Sequence, residues 1–257
     1  MYSFLTVWQN QPIIRVKKKA DILYFFINIS AGVGGKCSME GKRLTSYAME
    51  ELECPKCGHK HSLKKYKVIN VTEKAKLKEE IMKNRLYQFS CEECEYMAPL
   101  TYDSLYVDSR KNIMIYMAPV MNAEIKAEIA ELEQEKSIDK RLVDNINDLK
   151  EKIMIVDNHL DDRVIEIIKI MYLDQIKKEM EDDTLLNILF DYNRDNYCFL
   201  VFFQKKGIGK IPLTREFYRQ VEDKYKEAIK EHSTDGFMKI DMEWAGKILF
   251  KNHNKFN

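Results

Sequence analysis

The chain is short of the residues that make loose structure. Nine glycines and five prolines in 257 positions leave little material for long flexible linkers. An excess of either charge is missing too, with 42 Lys and Arg against 41 Asp and Glu. A protein built mainly to grip nucleic acid or an anionic membrane carries a basic surplus, so neither class is expected here. The apolar run Ile22-Leu-Tyr-Phe-Phe-Ile-Asn-Ile29 is well below the roughly 20 residues that a membrane span needs. A Gly-rich phosphate loop, a Gly-x-Ser-x-Gly elbow and a His-Glu-x-x-His pair are all absent, which removes the commonest marks of nucleotide, hydrolase and metalloprotease chemistry. No internal repeat or low-complexity tract is present. The composition is nonetheless 45% hydrophobic, enough for one substantial core or two modest ones.

Against these absences, six cysteines stand out. Cys54-Pro55-Lys56-Cys57-Gly58 is answered further along by Cys91-Glu92-Glu93-Cys94. Two Cys-x-x-Cys pairs are the spacing of a four-thiolate zinc site, because each turn delivers two thiolates to one side of a tetrahedral ion. Pro55 pre-sets one backbone angle and Gly58 supplies the left-handed conformation that closes the turn. Four thiolates leave no coordination position open for water, so Cys54, Cys57, Cys91 and Cys94 are predicted to hold a structural Zn²⁺, not a catalytic one. Redox thiols and an iron–sulfur cluster are the alternatives. A redox pair usually opens a helix, which lowers the thiol pKa, whereas these pairs fall between predicted strands. His59 and His61 lie close enough to displace a thiolate, although four cysteines already complete the set. Of the other two, Cys198 lies in the apolar run Tyr197–Phe203 and reads as a core thiol.

The patterning of the rest is α+β: a zinc-ribbon-like antiparallel β module with an inserted helix, followed by a C-terminal α+β domain. Residues 1–50 look unlike the remainder of the chain. They read as an N-terminal extension, or as sequence upstream of a start at Met39, since Gly34-Gly35-Lys36 can be encoded by a ribosome-binding string. A lipoprotein anchor at Cys37 is disfavoured by Lys36. The zinc module takes 51–120, with strands at His61–Val71, Leu86–Phe89, Tyr96–Tyr106 and Asn112–Met117. A short helix capped by Thr72 lies between the Cys pairs. Residues 121–158 read as connecting helices, Asn122–Lys136 and Asn145–Val156. In 159–257, Leu160-Asp161-Asp162-Arg163 opens a central packed helix with Asp161 as cap and Leu160 and Ile165 as a staple. Two buried strands, Leu185–Phe190 and Tyr197–Phe203, come next. Gly207-Ile-Gly209 then reads as a turn, Thr214 opens an amphipathic helix, and Met238–Trp244 alternates as a strand.

The first Cys pair, the spacer helix, Phe89-Ser-Cys-Glu-Glu-Cys94, Leu105-Tyr106 and Ile113-Met-Ile-Tyr116 together resemble the CpXC domain family of bacterial proteins, over about Leu52 to Pro119. The Leu160–Glu166 segment is similar to one that comes after the domain in such proteins. The resemblance implies a metal-binding module and no particular activity. Glu92 and Glu95 depart from the pattern where it has Pro and Gly. A left-handed Glu95 costs about 1–2 kcal/mol, so the second turn is expected to be the looser one.

Three functions compete. The first is a non-catalytic binding or scaffolding protein in the cytoplasm, with a protein partner, no membrane and no catalytic residue. The second is nucleic-acid binding through a basic patch near the first Cys pair, made of Lys56, His59, Lys60, His61, Lys64, Lys65 and Lys67. These cations equally well offset the double negative charge of a four-thiolate zinc centre, and Glu92, Glu93 and Glu95 oppose them, so nucleic acid is not favoured. The third is an enzyme using His159, Asp161, Asp162 and Glu166. Carboxylates at that spacing suit a divalent ion or acid–base work, but helix capping and the helix dipole explain them as well.

Overall fold

A computed structural model of the protein describes residues 14–15, 44–179, 182–193 and 196–253. Cys37, Met39 and most of the N-terminal stretch lie outside them. The architecture is mixed α+β, as the sequence predicts, with the cysteines in its N-terminal β region.

Strand β1 (Ile14–Arg15) belongs to a small three-stranded sheet. The hairpin of β2 (Ser46–Glu53) and β3 (Lys60–Asn70) turns through the first Cys pair. Helix α1 (Lys76–Met82) buries Leu77 and Ile81 and is followed by a 3-10 turn at Arg85–Tyr87. β4 (Gln88–Ser90) and β5 (Met97–Thr101) form a second hairpin, around the second Cys pair, and β5 takes β1 alongside in parallel. β6 (Ser104–Asp108) and β7 (Ile113–Met117) are buried along their whole length. Helix α2 (Ala123–Leu132), capped by Asn122, leads to β8 (Asp139–Val143). A five-stranded sheet results, in the order β2-β3-β6-β7-β8. Burial on β3 changes from alternating to continuous at Val68, where it meets Leu105 of β6. A strand covered on both faces has no reason to alternate.

Helix α3 (Ile146–Asp157) joins the two halves of the molecule. Every residue from Leu149 to Ile155 is buried, including Lys150, Glu151 and Lys152. Leu149 and Ile153 belong to the core under the Cys module, and Met154 and Ile155 to the core of the C-terminal half. That second core packs α4 (Asp162–Glu179) and the antiparallel sheet of β9 (Leu185–Asn193), β10 (Asn196–Phe203) and β11 (Gly207–Leu213). Helices α5 (Arg215–Glu231) and α6 (Met242–His253) complete it. On α5 the buried stripe is Tyr218, Val221, Tyr225 and Ile229, and Thr214 caps the helix through the Phe217 N–H at 3.1 Å.

Five local expectations need correcting. The strand expected over Tyr96–Tyr106 is two strands, β5 and β6, which belong to different sheets. Met238–Trp244 is not a strand: Met238 makes one bridge to Arg141, and Asp241 then caps α6 by accepting from the Trp244 N–H at 2.9 Å. Alternation over so few residues fits the start of an amphipathic helix equally well. Gly207–Leu213 is a strand, not a turn; it lies on the sheet's outer edge, where Pro212 can be accommodated. Thr72 does not cap α1, which starts at Lys76 without a side-chain cap; its hydroxyl accepts from the Ser109 N–H at 2.8 Å. The region between α2 and α3, read as purely helical, contains β8.

Candidate metal centre

The first Cys turn closes through two backbone hydrogen bonds, Cys54 N–H to His59 O at 2.8 Å and Gly58 N–H to Cys54 O at 2.9 Å. The second repeats them, with Cys91 N–H to Tyr96 O at 2.8 Å and Glu95 N–H to Cys91 O at 3.0 Å. Gly58 and Glu95 hold the same place, at φ of 74° and 57°. Glu95 does take the left-handed conformation, yet the turn is not looser. Its closure is as complete as that of the glycine turn, so the local strain is borne by the surrounding structure.

Facing each other, the two turns bring Cys54, Cys57, Cys91 and Cys94 together, with their sulfurs within 4.8 Å of one another. Cys54 to Cys94 and Cys57 to Cys91 are both 3.6 Å. Sulfurs bound at about 2.3 Å around one tetrahedral ion stand about 3.8 Å apart, so the arrangement fits a single metal ion. A multi-metal cluster holds its ligands further apart. Cys54 and Cys91 are buried, Cys94 is half-buried and Cys57 is exposed, which leaves one side open for metal entry. Burial pushes the Cys94 thiol up, against the pull of the Tyr96 N–H. Four thiolates this close repel one another, and a cation among them removes the penalty.

His61 does not displace a sulfur. Its Nε2 lies 3.2 Å from Cys91 Sγ, and its ring meets Phe89 edge-on at 5.2 Å. With the proton on Nε2, it donates to the sulfur and draws off part of the thiolate charge. Lys56, Lys60, Lys64 and Lys67 are exposed, but acids interleave with the basic strand. Glu53 sits opposite Lys60, and Lys65 pairs with Glu50 at 3.3 Å. Lys64 lies over the Tyr47 ring at 5.0 Å.

The second predicted cluster comes apart. His159 is exposed, in a left-handed conformation that ends α3, with Lys111 Nζ at 3.3 Å. Asp161 is a cap: its Oδ1 accepts from the Arg163 N–H at 2.8 Å, and it pairs with the Arg163 side chain at 2.7 Å. Leu160 and Ile165 share one core, as the staple requires.

Asp162 and Glu166 instead point inward and are buried. Arg141 grips Asp162 through Nε at 2.8 Å and Nη2 at 2.9 Å, and Lys152 approaches it at 3.3 Å. Burial alone would raise the Asp162 pKa; Arg141 and Lys152 outweigh it and hold the carboxyl well below its usual range. Lys152 continues to Glu166 at 3.0 Å, Glu166 to Lys169 at 3.0 Å, and Lys169 to Glu151 at 2.7 Å. Glu151 also accepts from the Phe190 N–H on the open edge of β9. The sequence reading missed Arg141, Glu151, Lys152 and Lys169. The available signal was a Lys-Glu-Lys triplet inside the apolar run Leu149–Ile155.

Residues 52–169 match the family model described as CpXC protein, and that span contains both the Cys turns and the whole buried ion chain. No curated protein and no solved structure matches the chain. No helix among the described residues is long and apolar enough to cross a membrane.

Proposed function

With the match of residues 52–169 to the CpXC family model as the premise, we propose that this is a zinc-binding protein whose metal is structural and whose role is to bind or scaffold a protein partner in a reducing cytoplasm. One observation carries the zinc reading: two closed, matching turns set four cysteine sulfurs within 4.8 Å, near the size of a Zn–S₄ tetrahedron. With four protein ligands the ion has no vacant position, so it locks the β2–β3 hairpin to the β4–β5 hairpin and does not activate water. Supporting a protein partner, β2 is an outer strand of its sheet and exposes Tyr47 and Met49. The interleaved Glu50 and Glu53 weigh against a phosphate-binding surface on the same hairpin.

Elemental analysis of protein purified without added metal tests the reading, with about one equivalent of zinc expected. Iron with visible absorbance, or a folded chain without metal, would remove it.

A further inference from the structure

The buried ion chain forms one wall of a cavity of about 150 Å³. The cavity lies between the end of β8, α3, α4, β9 and the segment Lys239–Met242 that leads into α6. Glu151, Lys152, Glu166 and Lys169 line it, together with the apolar Ile188, Leu189 and Ile240. Solvent reaches it past Lys239 and Asp241, whose side chains are 46% and 34% exposed. A space of about 150 Å³ admits a molecule the size of benzene, about six non-hydrogen atoms. Charged walls make this one a place for a polar guest.

Charge decides which guest. Along Glu151, Lys169, Glu166, Lys152, Asp162 and Arg141 the signs alternate and cancel. Asp148, which also lines the cavity, falls outside that balance. Its Oδ2 accepts from Asn145 Nδ2 at 2.8 Å, and among the described residues it has no ion pair. Glu166, 3% exposed, uses Oε1 for both Lys152 and Lys169, while no described donor reaches its Oε2. The cation at the mouth, Lys239, is engaged by Asp144 at 2.9 Å and Asp241 at 3.4 Å. The cavity therefore has one uncompensated negative charge and, on a buried residue, a carboxylate oxygen with room for a donor.

A divalent ion is the wrong cation for it. Among the described residues, only the four cysteines converge as a set of three or more metal-binding side chains. The groups nearest Glu166 are the ammoniums of Lys152 and Lys169, at 3.0 Å, and they offer no lone pair to complete a metal's coordination shell. An organic ammonium needs only acceptors for its N–H groups, and its carbon body suits the apolar wall. We propose that the cavity binds a small organic cation, a primary ammonium on an aliphatic body of about five or six non-hydrogen atoms, with Asp148 and Glu166 as its acceptors. The proposal is independent of the zinc site.

Burial, with the neighbouring Glu151 carboxylate, pushes Asp148 up to about 7, against the pull of Lys169 and Lys152. Asp144 and Asn145 before α3, Glu166 on α4, and Lys239 and Asp241 at the mouth complete its charged and polar surroundings. The ionised form holds a cation, so binding weakens as pH falls through that value. From pH 8 to pH 6 the ionised fraction drops about tenfold.

Calorimetric titration of the full chain with n-butylammonium, n-butanol and butyrate separates charge from shape. Expected at pH 8 is saturable one-site binding of n-butylammonium alone, weakened about tenfold at pH 6 and at least about tenfold by Asp148→Asn. Asn keeps the oxygen that accepts from Asn145, and circular dichroism checks that the variant folds. The wild-type comparison of the three probes stands even if the variant does not fold. Butanol binding as tightly as butylammonium, preferential butyrate binding, no butylammonium heat up to roughly 20 mM, or unchanged affinity in a folded Asp148→Asn would each overturn the proposal.

Discussion

The molecule has two polar centres, and they are held together by opposite means. At the cysteines, two short turns each set their own pair of thiols, and only the meeting of the turns is tertiary. At the ion chain, β8, α3 and α4 each supply charges that mean nothing until the three elements pack. The thiol cluster is all of one sign on ionisation and needs a cation from outside. The ion chain is neutral within itself. A centre that lacks its counter-charge signals a ligand, and a centre that contains it signals architecture; Asp148, beside the second centre, is where architecture leaves a charge over.

Removing the metal should have the largest effect, because binding energy at such a site is folding energy, several kcal/mol or more. With excess chelator, amide hydrogen exchange should accelerate throughout the β2–β3 and β4–β5 hairpins while the α4 amides stay protected. Equal loss in both regions would show that the ion chain depends on the metal site.

Next comes Asp162→Ala, which strands Arg141 and Lys152 in the interior and should cost about 3–5 kcal/mol in denaturant unfolding. Replacing Arg141 and Asp162 together by Met and Leu should recover much of that loss, since a buried pair contributes little beyond its apolar substitute.

Buried Asp162 and half-buried Asp148 also separate by pH. Asp162, its pKa depressed, contributes stability above its unfolded value of about 3.9, and this is lost as acid protonates it. Asp148, its pKa raised to about 7, behaves in the reverse sense: its contribution is fully present below the unfolded value and is lost as pH rises through 7. Asp148→Asn should therefore stabilise the protein at pH 8 by about 1–2 kcal/mol, discounted for its partial exposure, and make no difference near pH 3. Thermal melts across that range read the sign directly.

The smallest effect belongs to the cap. Asp161→Ala should cost about 0.5–2 kcal/mol and Asp161→Asn much less, because the amide oxygen still accepts the Arg163 N–H. Equal loss in both would mean that the charge, through Arg163, matters more than the cap.

The cysteine site was legible because its information is local: a spacing of three, with Pro55 and Gly58 at the positions a turn demands. The same holds for Thr214, a cap that sits beside the helix it starts. β8 was not legible, because its Lys140 and Arg141 are buried and no hydrophobic period shows. Lys140 Nζ donates to the carbonyls of Glu135, Ile138 and Asp235, and Arg141 is held by Asp162. Their partners lie as far away as Asp235, so no window of sequence contains the reason these cations can be inside. β11 was hidden by the two glycines and Pro212, which punctuate a chain unless it forms an outer strand. Asp162 and Glu166 were singled out as candidates, but the cations that bind them lie on other elements, and only the packed structure tells a locked carboxylate from a reactive one.

The central claim is a single ion held by four sulfurs, and X-ray absorption at the zinc edge of the purified protein tests it most directly. Four sulfur neighbours at about 2.3 Å and no metal–metal scattering are the predicted result. A light-atom neighbour near 2.0 Å would put His61 in place of a cysteine, a second metal in the shell would mean a cluster, and either would contradict the four-thiolate site.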